Sequence, residues 1–559
     1  MSSIYDKSSL VLIPSGTKTS KVYSQKPTNG DGDFTFSRST AATRVNASGN
    51  IEKETQNLLL QSNSFNTTWL DITLTKTSGQ AGYDGTNDAW KLDCNAASSR
   101  LYQTSLSVSN VQTFSVYAKA GTLNYMGLIV AGAGAYAYFD IANGQLGATN
   151  VGTIDHKIES IGGGWYRCSI AYTGTTTAVR IYPAQGDNDT AQTSGNIYIQ
   201  DAQLEQGLVA RDVITTTTTA IYGGITDNVP RLDYQGSCPA LLLEPQRRNI
   251  LPHSEWFGDY NTLNGASITS NYSESPEGYQ NATRLQLNAQ SLSRIEYAVA
   301  TGSPVQNERH SVSCWVKSNG GDTDFRLKCT HAGVLDYHSS NLTATSEWQR
   351  FTFTQLFGAG GGTTITAGIL NGSSNNAADL SIYGLQLEDD GAGGGSSYAT
   401  SYIPTYGSAV TRNKDSVSLY NQDDLFGDGQ GTWAIDINLD SRLFYNYSIL
   451  GSYPNYIGVN VSTTYMDMEI IDNAVLTGQV RYNNSSTGRF KIAIAYDGNS
   501  ALFYVNGTKV GEDTSVTIPS VNDIFLRNNE ANANAFRYNQ ALLFPTKLTE
   551  EELATLTTI

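Results

Sequence analysis

Two stretches of alternating residues carry side chains of the kinds that bind sugars. Residues 115–119 read Ser-Val-Tyr-Ala-Lys, and residues 313–317 read Ser-Cys-Trp-Val-Lys. Successive side chains of a strand point to opposite faces, so the serine, aromatic and lysine side chains share one face. The C–H face of a sugar packs on an aromatic ring while its hydroxyls hydrogen-bond to polar neighbours. The pattern predicts sugar contacts at Tyr117 and Trp315. The alternative is that the β-hairpin predicted ahead of each module, its lead-in hairpin, covers both rings.

A second candidate sugar site is a concentration of tyrosines near the C-terminus, with asparagines between them. Its members are Tyr445, Tyr447, Tyr453, Tyr456 and Tyr465, together with Asn446 and Asn455. Tyrosine offers a large contact area at a small entropic cost, and asparagine adds amide donors and acceptors. We expect a glycan site here in preference to the other regions; packing of the domain or an oligomer interface is the alternative.

No arrangement of residues predicts a catalytic centre. The five histidines have no HExxH or triad context, and no acid pair lies in a recognisable motif. We therefore expect a protein that is not an enzyme. Carboxylates distant in sequence could still meet in space, as a polysaccharide depolymerase needs.

A repeated sequence pattern of strands and loops must position these residues. Asn57 recurs as Asn249, Trp165-Tyr166-Arg167 recurs as Trp348-Gln349-Arg350, and Gln203-Leu204-Glu205 recurs as Gln386-Leu387-Glu388. The last two pairs have the same separation, which indicates a duplicated domain and not a short solenoid repeat. Short alternating apolar runs between turn residues predict an all-β protein.

The segments divide the chain into four parts. We predict an N-terminal lead-in β-hairpin or anchor segment over residues 1–55, module 1 over 56–222, module 2 with its own lead-in hairpin over 223–409, and a third sandwich over 410–559. The apolar phase of the alternating strands predicts which side chains are buried. They are Val116, Ala118, Val312, Cys314, Val316, Ile492, Ile494 and Val505.

Charge and composition exclude several kinds of partner. The formal net charge is -16 and no basic cluster is present, so a nucleic-acid surface is not expected. No apolar run is long enough to span a membrane, and we expect no membrane insertion. The five cysteines are odd in number and scattered, which favours free thiols made in a reducing cytoplasm.

Several strings resemble those of bacteriophage virion proteins of the tail-fibre and head-fibre type. They are FTFSR (34–38), ATRVN (42–46), PRLDY (230–234), LLLEPQ (241–246), YGLQLE (383–388), TSYIPT (400–405) and VTR (410–412). The C-terminal strings YDGN (496–499), YVNG (504–507) and LTEEEL (548–553) resemble concanavalin A-like or laminin-G-like sandwiches. Together the resemblance covers nearly the whole chain.

The resemblance implies a fold and a setting. It implies two tandem antiparallel jelly-roll sandwiches similar to carbohydrate-binding modules, followed by a concanavalin A-like sandwich. It also implies location in a virion, contacts with other virion proteins, binding to a host-surface polysaccharide and a homo-oligomer, which we expect to be a trimer. A purely structural virion role is the alternative, and a capsular depolymerase is the less favoured one.

The resemblance transfers no catalytic residue and no cofactor, but it raises one metal question. Asp201 lies on the last strand of module 1, where carbohydrate-binding modules often hold a structural calcium ion, and Gly384 replaces it in module 2. The segment that follows the last strand of module 2 reads Tyr-Ile-Pro-Thr (402–405). The matching segment of module 1 departs from this pattern and reads Asp-Val-Ile-Thr (212–215). The two modules therefore need not share one ligand function.

Overall fold

The protein is built almost entirely from antiparallel strands. The computed structural model describes residues 2–234, 238–301, 308–331, 337–358, 362–389, 398–442, 447–526 and 535–559. Its helical elements are Ser2–Asp6, Asp423–Leu425 and Glu550–Thr557. The all-β class expected from the sequence is confirmed. Among the described residues, no helix is long and apolar enough to cross a membrane.

Module 1 is a sandwich of two six-stranded sheets, which we call its inner and outer sheets. In spatial order the inner sheet is Thr153–Gly162, Trp165–Thr173, Val111–Ala120, Asn196–Gln206, Ala89–Cys94 and Leu74–Gln80. The outer sheet is Gln145–Thr149, Tyr136–Asp140, Tyr125–Ala131, Thr176–Ala184, Arg100–Val108 and Leu70–Ile72. Apolar side chains of both sheets form one core between them.

Module 2 repeats this plan. Its inner sheet is Ser267–Ser273, Ala282–Leu287, Ala378–Asp389, Arg309–Ser318 and Gln349–Leu356. Arg247–Asn249 also pairs with Ala378–Asp389, and Val410–Arg412 pairs in turn with Arg247–Asn249. Its outer sheet is Asn261–Leu263, Arg294–Ala300, Thr364–Asn371, Thr323–His331 and Leu342–Ala344. The register matches module 1, because Trp315 pairs with Arg350 as Tyr117 pairs with Arg167.

The third sandwich has an eight-stranded and a nine-stranded sheet. The first is Arg231–Tyr234, Pro239–Leu243, Phe536–Phe544, Gln430–Leu439, Gly488–Asp497, Ser500–Val505 and Thr508–Asp513, with Leu10–Leu12 also beside Phe536–Phe544. The second is Thr17–Lys18, Lys21–Val22, Phe34–Ser37, Ser416–Leu419, Ile524–Phe525, Tyr447–Ser452, Asn455–Val461, Tyr465–Asp472 and Val475–Asn483. Two small pairs complete the chain, Arg44–Val45 with Ile51–Glu52 and Thr55–Asn57 with Ile221–Gly223.

The sheets therefore cross the segment boundaries drawn from sequence. Leu10–Leu12 and Phe34–Ser37 from the N-terminal segment, and Pro239–Leu243 from the lead-in of module 2, are strands of the third sandwich. Phe34 and Phe36 alternate with exposed residues and are buried in that sandwich's core. A short segment with one apolar face has too little core of its own, so it is stabilised by adding to a larger sheet.

The predicted core positions are confirmed. All eight side chains from Val116 to Val505 named above are at most 3% exposed. This agreement fixes the strand register in each of the three sandwiches, because a slip by one residue would bring the opposite face inward.

The repeated asparagines bind the segment that follows the last strand of each module, around Ile214 in module 1 and Ile403 in module 2. We call this the exit segment. Asn57 Nδ2 donates to the backbone oxygen of Ile214 at 2.8 Å, and Asn249 Nδ2 donates to that of Ile403 at 2.9 Å. In both modules the asparagine Oδ1 accepts from an amide two residues ahead and from one on the last strand.

The repeated glutamines hold the same exit segments from the other side. Gln203 Oε1 accepts from the amide of Ile214 at 2.8 Å, and Gln386 Oε1 accepts from that of Ile403 at 2.7 Å. Their amide groups donate to Glu205 at 2.7 Å and Glu388 at 2.5 Å. The strongest anchors of the repeat are therefore an internal clamp.

A buried ion network joins the third sandwich to the lead-in segments. Glu244 accepts from Arg231 at 2.6 Å and from Arg412 at 2.5 Å, while Asp415 binds Arg38 at 3.1 Å and also pairs with Arg231. All five side chains are at most 3% exposed. Four of them lie in or beside the strings that carry the virion-protein resemblance, so those strings have a structural role in joining segments.

A second buried network joins the two modules. Glu277 of module 2 accepts from Arg211 Nε at 2.6 Å and lies 3.0 Å from Lys53 Nζ. Lys53 also pairs with Glu255 at 2.6 Å, and Arg211 pairs with Glu205 of module 1 at 3.2 Å. Buried charges are tolerated only when they are paired in this way.

Candidate functional site

One outer surface of module 1 combines aromatic rings with cationic donors. We call it the tyrosine face, and it consists of Arg100 and Tyr102, Tyr136 and Tyr138, and Arg180 and Tyr182. The two members of each pair are separated by a single residue, and that residue (Leu101, Ala137 or Ile181) is fully buried in the core. Strand alternation therefore directs all six side chains away from the core.

The outer sheet brings the three pairs together. Tyr102 is directly opposite Arg180, and Gly127 lies opposite both Tyr138 and Tyr182 on its two neighbouring strands. The face therefore crosses four adjacent strands. At the usual strand spacing this is a width of about 14 Å.

The tyrosines differ in depth. Tyr138 and Tyr182 are 4% and 8% exposed and form the floor of the face, whereas Tyr102 and Tyr136 are half-buried. A Cβ atom on Gly127 would lie 2.7 Å from the Tyr138 ring, so glycine at this position lets that ring lie close to the sheet. Burial first, and then the neighbouring Tyr182, raise the pKa of Tyr138, so its hydroxyl stays a neutral donor and acceptor.

The guanidinium of Arg100 lies between two of the rings. Its Cζ atom is 5.9 Å from the ring centre of Tyr102 and 5.7 Å from that of Tyr182. Nη1 makes one long hydrogen bond of 3.4 Å to the backbone oxygen of Ser98, and Nε is buried without a partner. Ring faces beside unused donors are the chemical combination that a sugar requires.

Module 2 has a different surface at the same place. Ile295 and Leu327 both pair with Ile369, just as Leu101 and Leu128 of module 1 both pair with Ile181. This register places Glu296 at the position of Tyr102, Leu370 at that of Tyr182 and Lys328 at that of Ile129.

The module 2 face is occupied by its own ion pairs. Glu296 accepts from Arg294 Nε at 2.7 Å and from Lys328 Nζ at 2.9 Å. Arg326 Nη1 lies 3.2 Å from His338 Nε2. Each of these groups has an internal partner, so the duplicated fold carries an aromatic face in module 1 and an ion-paired face in module 2.

The tyrosine face was not predicted from the sequence, although a signal was present. Arg-Leu-Tyr (100–102), Tyr-Ala-Tyr (136–138) and Arg-Ile-Tyr (180–182) each place an apolar residue between two polar or aromatic ones. Sequence alone does not show that these three strands are near neighbours in one sheet.

Tyr117 lies on the inner sheet and is covered. Its ring stacks against Tyr83 with centres 3.9 Å apart and planes 13° apart, and it is 8% exposed. Arg167 lies 5.4 Å from the ring centre and its Nη2 also contacts Ser115 at 3.4 Å. Tyr83 and Arg167 thus occupy the surroundings predicted for a sugar at this position.

Trp315 is half-buried where three segments meet. Arg350 lies 4.5 Å from its ring centre, and a Cβ on Gly384 would lie 3.1 Å from the ring. The ring lines a cavity of about 270 Å³ together with Arg44 of the lead-in hairpin and Arg537 of the third sandwich. Packing by the lead-in hairpin, the alternative considered from sequence, accounts for this position.

The C-terminal tyrosines do not form one surface in the described chain. Tyr453 is 74% exposed in the turn between two strands, whereas Tyr456 is half-buried and donates through its hydroxyl to Glu469 at 3.2 Å. Tyr465 lies 3.7 Å from the guanidinium of Arg481. Tyr445 and the side chain of Tyr447 lie outside the described residues.

Asp201 lies in a bulge of the last strand of module 1, with φ +47°, and Gly384 occupies the matching bulge of module 2 with φ +64°. The carboxylate of Asp201 accepts a hydrogen bond from the Tyr83 hydroxyl at 3.0 Å. Burial raises the pKa of Asp201 to about 6. No group of three or more His, Cys, Asp or Glu side chains in the described residues is arranged to hold a metal ion.

Comparison with known proteins gives distant likenesses among solved structures. The N-terminal tandem CBM22 domains of Xyn10C from Paenibacillus barcinonensis match at 9% identity over 59% of this chain and 96% of their own, with a TM-score of 0.21. Domain 4 of a GH43 arabinanase from Geobacillus stearothermophilus, solved with arabinotriose, matches at 14% identity over 26% of this chain and 73% of its own, with a TM-score of 0.22. A Bacillus licheniformis β-glucanase matches at 13% identity over 24% and 73%, with a TM-score of 0.20.

No family model matches the sequence, and no curated protein matches it. At TM-scores near 0.2 the structural likenesses establish no shared function. What the chain binds has to be argued from its own residues.

Proposed function

We propose that the protein is a non-enzymatic glycan-binding protein and that the tyrosine face of module 1 is its binding surface. The observation that carries the proposal is the contrast between the two copies of one fold. Equivalent strands present rings and unused guanidinium donors in module 1, but closed ion pairs in module 2. Stability alone does not require that difference, because both modules have complete cores beneath the face.

The surface also has the form expected for a chain of sugars. It is open and about 14 Å wide, with half-buried Tyr102 and Tyr136 above a floor of Tyr138 and Tyr182. Sugar rings would stack on the half-buried tyrosines, and the arginine donors would bind hydroxyl or acidic groups.

A glycan array followed by calorimetry on the full chain tests the proposal. Replacing Tyr102→Ala or Tyr136→Ala is expected to weaken binding of the best glycan about tenfold each, which corresponds to ~1.4 kcal/mol. Tyr272→Ala is the matched control, because Tyr272 is an exposed tyrosine of module 2 with Arg284 4.9 Å from its ring centre. Binding that survives both module 1 changes, or that falls equally with Tyr272→Ala, would contradict this site.

The exposed ring of Tyr453 supports a second contact in the third sandwich. Among Tyr453, Tyr456 and Tyr465, the predicted tyrosines whose side chains the structure describes, Tyr453 alone is mostly exposed, at 74%. Tyr453→Ala is expected to lower adsorption to a glycan-bearing surface without changing the melting temperature. Tyr456→Ala tests the second tyrosine that was predicted at this site. This change also removes the hydrogen bond from the Tyr456 hydroxyl to Glu469, which has a structural role.

The proposed setting is a bacteriophage virion, in a tail-fibre or head-fibre appendage and as a homotrimer. Support comes from the resemblance of the joining strings, and from the gain in avidity when several weak sites are held together. Native mass spectrometry of the purified protein would reveal the oligomer, and labelled antibodies on intact particles would reveal the location. A protein that binds no glycan but does bind particle proteins would favour the purely structural role.

A further inference from the structure

We infer that the glycan bound by the tyrosine face is acidic, with a sugar carboxylate held between Arg100 and Arg180. This inference deepens the proposed function and rests on it. It starts from two guanidinium groups that meet no carboxylate in the described residues. The guanidinium of Arg180 makes no hydrogen bond or ion pair there, and that of Arg100 makes only the long contact to Ser98.

Carboxylate partners are available to many strand arginines of this chain. The sequence contains 51 acidic and 35 basic residues, so carboxylates are plentiful. Several strand arginines at other surfaces have a carboxylate partner: Arg284 pairs with Asp379, and Arg489 pairs with Asp436 at 2.6 Å. In the module 2 copy, the arginine at the Arg100 position is Arg294, which pairs with Glu296.

The equivalent acid is missing from module 1 because Tyr102 stands in its place. A carboxylate at position 102 would form an ion pair with Arg100 within the sheet, as Glu296 does with Arg294 in module 2. With a tyrosine there, the charge of Arg100 is left for an anion that arrives from outside. A guanidinium offers five donors in a fixed plane, and a carboxylate accepts two of them in parallel.

The two arginines are close enough to act on one ligand. Tyr102 is directly opposite Arg180, and Arg100 is two residues from Tyr102 on the same face. Diagonal neighbours of this kind are roughly 7–8 Å apart across an antiparallel pair. Both side chains can therefore reach one carboxylate, or two on successive sugars, while Tyr102 between them contacts the ring.

The acids that border the face do not neutralise the pair. Asp187 lies toward Tyr138 at the other side, where its Oδ1 accepts from the amide of Ala148 at 2.7 Å. Asp140 is engaged by its own turn, accepting from the amide of Asn143 at 3.0 Å. The face is thus cationic at the arginine end only, which predicts both the charge and the orientation of the bound sugar.

The test compares each acidic oligosaccharide with its own neutral derivative. Oligogalacturonate and a sialylated oligosaccharide serve as the two acidic probes, and their methyl esters keep every ring and hydroxyl while removing the charge. We expect the full chain to bind at least one acid form at least tenfold more tightly than its ester.

Arg180→Gln is the variant that tests the assignment. It is expected to lower the affinity for the acid form at least tenfold and to bring the ratio of acid to ester affinity close to one. Arg309→Gln, at an exposed strand residue of module 2, is the matched control and is expected to change neither. Circular dichroism and the melting temperature report whether the variant is folded.

The outcomes separate the two proposals. Equal binding of acid and ester, a preference for neutral glycans, or an unchanged acid affinity in Arg180→Gln would overturn the acidic-sugar inference while leaving glycan binding in place. Failure of the full chain to bind any acidic or neutral member of a broad glycan array would overturn both.

Discussion

The carboxylate of Glu277 is expected to be the most sensitive single group at the junction of the two modules. It lies 2.6 Å from Arg211 Nε and 3.0 Å from Lys53 Nζ, and it also accepts from Asn281 at 3.0 Å and from the Tyr383 hydroxyl at 2.9 Å. Its side chain is 3% exposed. Glu277→Gln keeps the shape of the side chain but leaves two buried cations with one carboxylate fewer.

The size of the effect follows from that imbalance. Removing one partner of a buried ion pair costs roughly 3–5 kcal/mol, because the remaining charge is left uncompensated. With a urea m-value near the upper end of the ~1–3 kcal/mol/M range, the unfolding midpoint of the two modules should fall by roughly 1–2 M. Glu274→Gln, three residues earlier and exposed, is the control and should shift the free energy of unfolding by less than about 0.5 kcal/mol.

The pH dependence gives an independent check. Burial alone would raise the pKa of Glu277, but Arg211 and Lys53 hold it well below its usual range. A depressed folded-state pKa contributes stability above the unfolded pKa and loses it as the pH falls. The gap between wild type and Glu277→Gln should therefore be largest near pH 7 and narrow below about pH 4.

Urea titration followed by tryptophan fluorescence measures the midpoint, and hydrogen exchange around residues 211 and 277 shows whether the junction opens. If Glu277→Gln and Glu274→Gln behave alike, or if the gap does not change with pH, the buried network does not stabilise the junction.

Two further predictions concern groups within the modules. Asn57→Ala and Asn249→Ala should each cost at least ~3 kcal/mol, since four backbone groups at Asn57 and three at Asn249 lose a partner at roughly 1–3 kcal/mol apiece. Hydrogen exchange should rise only in the segment that follows the last strand of the altered module, and a rise in both modules would refute independent clamps. For Asp201, burial raises the pKa to about 6, so an ionised carboxylate disfavours the folded state above that pH. Asp201→Asn should then raise the free energy of unfolding at pH 7.5 by on the order of 2–3 kcal/mol and change it little at pH 4. A melting temperature of wild type that rises with added calcium, and is lowered by the substitution, would instead support a structural calcium ion.

The duplicated plan of the modules could be predicted because its anchors act locally. Asn57 and Asn249, and likewise Gln203 and Gln386, make matching hydrogen bonds in both copies, so the same clamp needs the same residue types at matching positions. Strand alternation also predicted the buried set around Val116 and Val312, since burial of one face is a property of each strand alone.

The candidate site was harder to predict for two reasons. The Ser-aromatic-Lys pattern is real, but Tyr83 covers Tyr117 and Arg350 covers one side of Trp315, and neither partner is adjacent in sequence. The tyrosine face depends on the order of strands in the outer sheet, which a single sequence does not state. Comparing the two copies position by position would have shown Tyr102 against Glu296, once the register was known.

The joining of the first strand to the last has a consequence for how the chain is made. Leu10–Leu12 pairs with residues 541–543 of the strand Phe536–Phe544, so its partner is translated more than 500 residues later. At about 5–20 residues per second, the apolar N-terminal strand waits on the order of half a minute to two minutes for that partner. The modules can close before the strand Phe536–Phe544 is made, but the third sandwich cannot. A chain that stops before Phe536 would therefore release Leu10–Leu12 as an unpaired apolar strand, and such products should depend on chaperones or be degraded.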